Sequence, residues 1–148
     1  MPVSTSSLNI RVTTTTDYKT DNTKALQALL QQATHVIIDT VINLDDQIKT
    51  AFEGQVIEVT NTGEIRPIGE KMKTHLMIVL KHSNCKILNL HSSNPQLLQS
   101  NLVSNKGGGR QGTIDIQAGF CLIQGCTMMN QVNAVIAVRT IASMAYVF

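Results

Sequence analysis

Apolar residues along this chain follow two different periods, and the change from one to the other falls near residue 34. Before it, Leu26, Leu29, Leu30 and Ala33 stand at offsets of three, four and seven, one face of an α-helix. Lys24, Gln27, Gln31 and Gln32 occupy the opposite face. Asp21 or Asn22 can accept hydrogen bonds from the free N–H groups of a first helical turn, so the pattern predicts a helix from Asn22 to Ala33. A helix with one apolar face must lay that face on something.

From His35 onward the apolar residues come in short β-branched runs. They include His35-Val36-Ile37-Ile38, Val41-Ile42-Asn43-Leu44, Gln55-Val56-Ile57-Glu58-Val59 and Glu64-Ile65-Arg66. Further runs follow at Leu76 to Leu80, Lys86 to Leu90, Thr113 to Ile116, Phe120 to Ile123 and Ala134 to Val138. Turn residues separate them: Asn61-Thr62-Gly63, Ser83-Asn84, Ser93-Asn94-Pro95 and Ala118-Gly119. Many short strands with no helix between them predict an all-β body. Ahead of the helix, residues 1 to 16 end in Val12-Thr13-Thr14-Thr15-Thr16 and read as an extended lead-in segment.

Internal repetition chooses between sandwich, barrel and solenoid. Cys85-Lys86-Ile87-Leu88-Asn89-Leu90 lies 36 residues before Cys121-Leu122-Ile123-Gln124-Gly125-Cys126. In that overlay Cys85 meets Cys121, Ile87 meets Ile123, Leu90 meets Cys126 and Asn94 meets Asn130. The strands before them, Met77 to Val79 and Thr113 to Ile116, fall at nearly the same offset. Each copy then reads as one turn of a solenoid, stacking like residues on like, with a long loop from Gln96 to Gly112 bulging from one face.

Composition narrows the picture. Hydrophobic residues make up 43% of the 148 positions but aromatics only 3%, so core volume must come from Ile, Leu, Val, Met and Ala. Charged residues reach 15%, below the roughly 25% of typical soluble domains, with Asn, Gln, Ser and Thr in their place. A polar but sparsely charged surface suits carbohydrate or a packed assembly. The net charge of +2 is too small for a nucleic-acid footprint. No apolar run approaches the roughly 18 residues needed to cross a bilayer. Met1 to Ile10 lacks the basic and apolar regions of a signal peptide. Cys85, Cys121 and Cys126 form no CxxC and are odd in number, so they read as small buried hydrophobes, with neither metal nor cofactor implied.

Asp17-x-x-Thr20-Asp21-Asn22-Thr23-x-Ala25-Leu26-Gln27-x-Leu29-Leu30 resembles the opening of the pectate-lyase-like superfamily, where Asp-Gly-x-x-Asp-Asp-Thr-x-Ala-Leu-Gln precedes a β-helix. Asn84-Cys85-Lys86-Ile87-x-Asn89-Leu90 and Phe120-Cys121-Leu122-Ile123-x-Gly125-Cys126-Thr127 are similar to the family's turn segments. Tyr18 stands where the family has Gly, and Ala33-Thr34-His35-Val36 replaces its Gly-Gly strand entrance. The resemblance spans residues 17 to 138 and implies a right-handed parallel β-helix plugged by an N-terminal capping α-helix. Sparse charge and the missing signal look most like a phage tailspike. That implies a homotrimer on the virion tail, extracellular in action, binding and degrading bacterial capsular or O-antigen polysaccharide by hydrolysis or β-elimination. The alternative is a non-catalytic carbohydrate-binding or structural module of a virion fibre. Neither nucleic acid nor membrane insertion is expected.

Candidate chemistry is thin. Glycoside hydrolysis needs two carboxyl groups roughly 5 to 9.5 Å apart across the bond. Eight of the ten acids precede residue 65, and Asp45-Asp46 is the one tight pair, which reads as a water-facing turn. Asp115, between Ile114 and Ile116, is the lone acid of the later turns; alternation aims it outward, as half of a catalytic pair or as a solvated strand residue. An eliminating lyase would need a base and cations to hold a uronate. His82, His91 and Arg110, with Lys81 and Lys86 nearby, are the substrate-binding candidates, against the simpler reading of surface residues. Lys106-Gly107-Gly108-Gly109-Arg110 lacks the ending of a phosphate loop and reads as a surface loop tip. The apolar stretch Ile141 to Phe148 supplies no polar cap, so residues 17–148 are expected to be a helix and first turns cut short at the C-terminal end.

Overall fold

The computed structural model describes residues 20–68, 76–93, 112–129, 136–138 and 145–148. The lead-in segment 1–16, the loop tip 106–110 with Arg110, and the Asn94–Asn130 match lie outside the described residues.

Helix α1 (Thr23–Leu30) forms where the 3.6-residue period placed it. Leu26, Leu30 and Ala33 are fully buried, and Leu29 packs partly buried against the same core. The regular helix ends three residues before the predicted Ala33. Gln32 N–H already reaches Leu29 O at 3.0 Å, a tightened last turn. At the start, Asp21 Oδ1 accepts from Thr23 N–H at 2.9 Å and from its hydroxyl at 2.6 Å. Asn22 holds the N-cap position without capping, because its side chain is committed elsewhere.

The strands come in threes. First are β1 (His35–Ile38), β2 (Val41–Leu44) and β3 (Ile48–Lys49), then β4 (Val56–Val59), β5 (Glu64–Pro67) and β6 (Leu76–Leu80). A third set is β7 (Lys86–Leu88), β8 (His91–Ser93) and β9 (Gly112–Ile116); a fourth is β10 (Cys121–Gln124), β11 (Thr127–Met129) and β12 (Ile136–Val138). The last described strand is β13 (Ala145–Val147). Every pairing is parallel, and the three sheets run β1-β4-β7-β10-β13, β2-β5-β8-β11 and β3-β6-β9-β12. The chain therefore visits the sheets in rotation, one strand each per circuit. This mostly-β arrangement of stacked parallel strands is consistent with a β-helix-like solenoid.

Registers explain why short branched runs suffice. Val36, Ile57, Ile87, Ile123 and Val147 are successive partners in the first sheet. Ile48, Ile78, Ile114 and Ile136 line up the same way in the third. These columns supply much of the buried core. The 36-residue offset is real: Ile87 pairs with Ile123, His91 with Thr127 and Ile78 with Ile114. It is not a constant period, since His35 pairs with Val56 and Val56 with Lys86.

The corners repeat too. Gly54, Asn84 and Phe120 each stand two residues before the aligned positions Val56, Lys86 and Leu122 of the first sheet, and all three have φ between 61° and 73°. Asn89 and Gly125 form a second left-handed pair at the exit from that sheet. A side chain at Gly125 would collide with the carboxamide of Asn89 directly below it.

Cys85 and Cys121 are fully buried and Cys126 half-buried, all as free thiols. Burial pushes each thiol above its ordinary range.

Candidate functional site

A first circuit of parallel strands leaves an edge of unpaired N–H and C=O groups. Asn22 and Asn43 answer it with a pair of bonds: Asn22 N–H donates to Asn43 O at 2.8 Å, and Asn43 N–H to Asn22 Oδ1 at 2.9 Å. Asp45 N–H donates to Asp21 Oδ1 and to Thr23 Oγ1, which Asp46 N–H also reaches. Gln27 clamps β3 with its whole carboxamide, Nε2 giving to Lys49 O at 3.0 Å and Oε1 taking from Lys49 N–H at 2.8 Å. Thus Asp21, Asn22, Thr23 and Gln27, all within the opening motif, close the edge of β2 and β3. Gln27 was expected on the solvent side; its length lets it reach the strand edge instead.

The clearest polar constellation lies on the outer face of the second sheet. In β5, Ile65 faces inward, so Glu64 and Arg66 face outward; in β8, Ser92 faces inward, opposite Ile65, and His91 and Ser93 face outward. Two neighbouring strands therefore present a block of four side chains. Glu64 is only 8% exposed. Arg66 Nη2 donates to its Oε2 at 3.0 Å, and the Ser93 hydroxyl donates to its Oε1. Burial alone would raise the Glu64 pKa. Hydrogen bonds from Arg66 and Ser93, with the positive fields of Arg66 and His91, outweigh it and hold the carboxyl below its ordinary range. Glu64 is thus an ionised, oriented acceptor at neutral pH, unsuited to donate a proton.

Of the sequence candidates, the structure brings only His91 into this block. Asp115 does face away from Ile114 and Ile116, level with Val79 and Ala137, but it is 1% exposed and not solvated. Gln117 Nε2 donates to its Oδ2 at 3.0 Å. Alternation fixes the direction of a side chain but not what lies over that face. His82 sits in the corner after β6, its Nδ1 hydrogen-bonded with the hydroxyl of Thr50 at 3.2 Å. Lys81 and Lys86 are exposed. Arg110 lies outside the described residues. The Asp45-Asp46 pair belongs to the turn bonded to the start of α1.

Glu64, Arg66 and Ser93 were missed as site residues. Their signal was the alternation Glu64-Ile65-Arg66 and His91-Ser92-Ser93, but joining the two runs requires the register that pairs Ile65 with Ser92, far along the chain. A second polar pair, His35 Nε2 and Glu58 Oε2 at 3.1 Å, stands on the first sheet. Among the described residues, no three His, Cys, Asp or Glu side chains gather as a metal site, and no helix is long and apolar enough to cross a membrane. Family models, curated proteins and solved structures were each compared with the chain, and none matches.

Proposed function

We propose that this chain is the capped opening of a right-handed parallel β-helix of the phage-tailspike type, which binds and degrades bacterial capsular or O-antigen polysaccharide, by hydrolysis or β-elimination. One observation carries the reading. The residues that make the opening motif resemble the pectate-lyase-like superfamily, Asp21, Asn22, Thr23 and Gln27, are the ones bonded to the open edge of the first circuit. These bonds support the plug role that the resemblance implies. The ordered block of Glu64, Arg66, His91 and Ser93 supports a carbohydrate-facing surface, since it offers fixed acceptors and donors to hydroxyl groups.

A non-catalytic binding or fibre module is the second reading, favoured by the state of the acids. Glu64 is held ionised by Arg66 and Ser93, and Asp115 is sealed from solvent, so these two do not form a facing acid–base pair. Incubation with purified capsular polysaccharides separates the two. Loss of polymer length indicates a depolymerase, and new absorbance from unsaturated sugar ends indicates elimination. Retention without shortening indicates the binding module; absence of both binding and cleavage would overturn both readings. Light scattering on the eluting protein tests the homotrimer that a tailspike implies.

A further inference from the structure

Phe120 is half exposed, at 51%, and has a φ of 61°. Left-handed backbone is ordinary for glycine or asparagine and disfavoured for a bulky side chain. The corresponding corners of the two preceding circuits conform, with Gly54 and Asn84. Phe120 departs from that pattern, and it does so beside a strand, β10, that is paired on both sides. Its exposure is therefore no consequence of a sheet edge. An aromatic residue held in a disfavoured conformation with half of its surface in water returns little to the fold, which points to use elsewhere.

The neighbouring corners say what kind of partner fits. Asn84 N–H donates to Gly119 O at 3.1 Å, and Gly54 N–H to Ser83 O at 2.9 Å, so the corners are stacked by backbone bonds. The exposed Asn84 carboxamide donates to the exposed Glu53 carboxylate at 3.0 Å. The Glu53 carboxylate beside Gly54, the Asn84 amide and the Phe120 ring thus lie on three successive corners. The step between circuits is about 4.8 Å, close to the length of one pyranose unit.

We infer that Phe120 is the apolar platform of a sugar subsite that runs along this column toward Asn84 and Glu53. A pyranose ring offers a C–H face, which suits an aromatic surface, and a hydroxyl rim, which suits amide and carboxylate groups. This inference rests on the polysaccharide reading above and adds a location separate from the Glu64 block.

The test uses the whole chain on an array of purified bacterial capsular and O-antigen polysaccharides. Phe120→Asn should melt roughly 4 °C higher, because asparagine accepts the backbone conformation. The same variant should bind at least about tenfold more weakly to any polysaccharide the parent retains. Phe120→Tyr should keep binding, since the ring face remains. If the parent binds and Phe120→Asn binds equally well, the subsite is wrong while the polysaccharide reading stands. If the parent binds no member of the array, both fall. A lower melting temperature for Phe120→Asn would remove the strain argument. A change in oligomeric mass in that variant would instead identify Phe120 as a contact between subunits, and so overturn the subsite.

Discussion

Replacing Gln55 by methionine isolates the joint between helix α1 and the strands. Gln55 is fully buried. Its Nε2 donates to Leu30 O at 2.8 Å and to Ala33 O at 2.7 Å, the carbonyls that leave the helix end, while Oε1 accepts from Ala51 N–H at 2.7 Å. Methionine keeps the length and approximate volume of the side chain but makes none of these bonds. One N–H and two carbonyls then lose their side-chain partner in the interior. Each such loss costs about 1–3 kcal/mol, and partial relaxation brings the sum to about 3–5 kcal/mol. With a urea slope of about 2 kcal/mol per molar, the unfolding midpoint should fall by about 1.5–2.5 M at unchanged slope. Urea titration followed by far-UV circular dichroism measures this. Gln55→Glu provides the control. At neutral pH it sets a carboxylate oxygen against two carbonyls, and acidification should recover part of its stability as the carboxyl becomes a donor. A midpoint shift below about 0.3 M for Gln55→Met would refute the claim that this residue joins helix to strands.

Gly63→Ala should destabilise the chain by about 2–4 kcal/mol in the same titration, because the added carbon would overlap the Ile38 carbonyl and a Val59 methyl. Ser92 occupies a fully buried place opposite Ile65 and Met128, and its hydroxyl has no hydrogen-bond partner among the described residues. Ser92→Ala is expected to raise the melting temperature, by about 1 kcal/mol of added stability in calorimetry. Acid should weaken the fold through Asp21 and Glu64. Burial would raise both pKa values, but Thr23 bonds to Asp21, and Arg66 and Ser93 bonds to Glu64, outweigh it and leave both lowered. A depressed folded-state pKa contributes stability above the unfolded value, lost as pH falls through the folded one. Unfolding free energy should therefore be level near neutrality and decline below about pH 4, with a shallower decline in an Asp21→Asn, Glu64→Gln double variant.

The helix could be read from local sequence because its cause is local. Leu26, Leu29, Leu30 and Ala33 share a face by helical geometry alone, and that face is the buried one. Most strand positions were legible for the same reason, through branched runs bounded by turn residues; β3, β8 and β11, two or three residues long and poor in branched apolar residues, were not. The 36-residue match was found because its inward residues, Cys85 with Cys121 and Ile87 with Ile123, stack directly in consecutive circuits. Shorter circuits were hidden, since unequal corners shift the spacing from one strand pair to the next.

The site was far less legible. Asp115 pointed outward as its neighbours required, yet it is sealed, and burial belongs to whatever the chain lays over a sheet rather than to alternation. Glu64 meets Ser93 only because β5 pairs with β8 in one register; a slip of one residue in either strand would turn one of the two to the other face. Gln27 reads as a solvent-side glutamine until the edge of β3 arrives beside it. What the sequence determined by itself was the helix, the longer strands and their inward residues, because those follow from backbone period and burial of apolar surface. Tertiary structure alone decided which polar side chains became neighbours. Those distances depend on strand register and corner length, which no local window of residues contains.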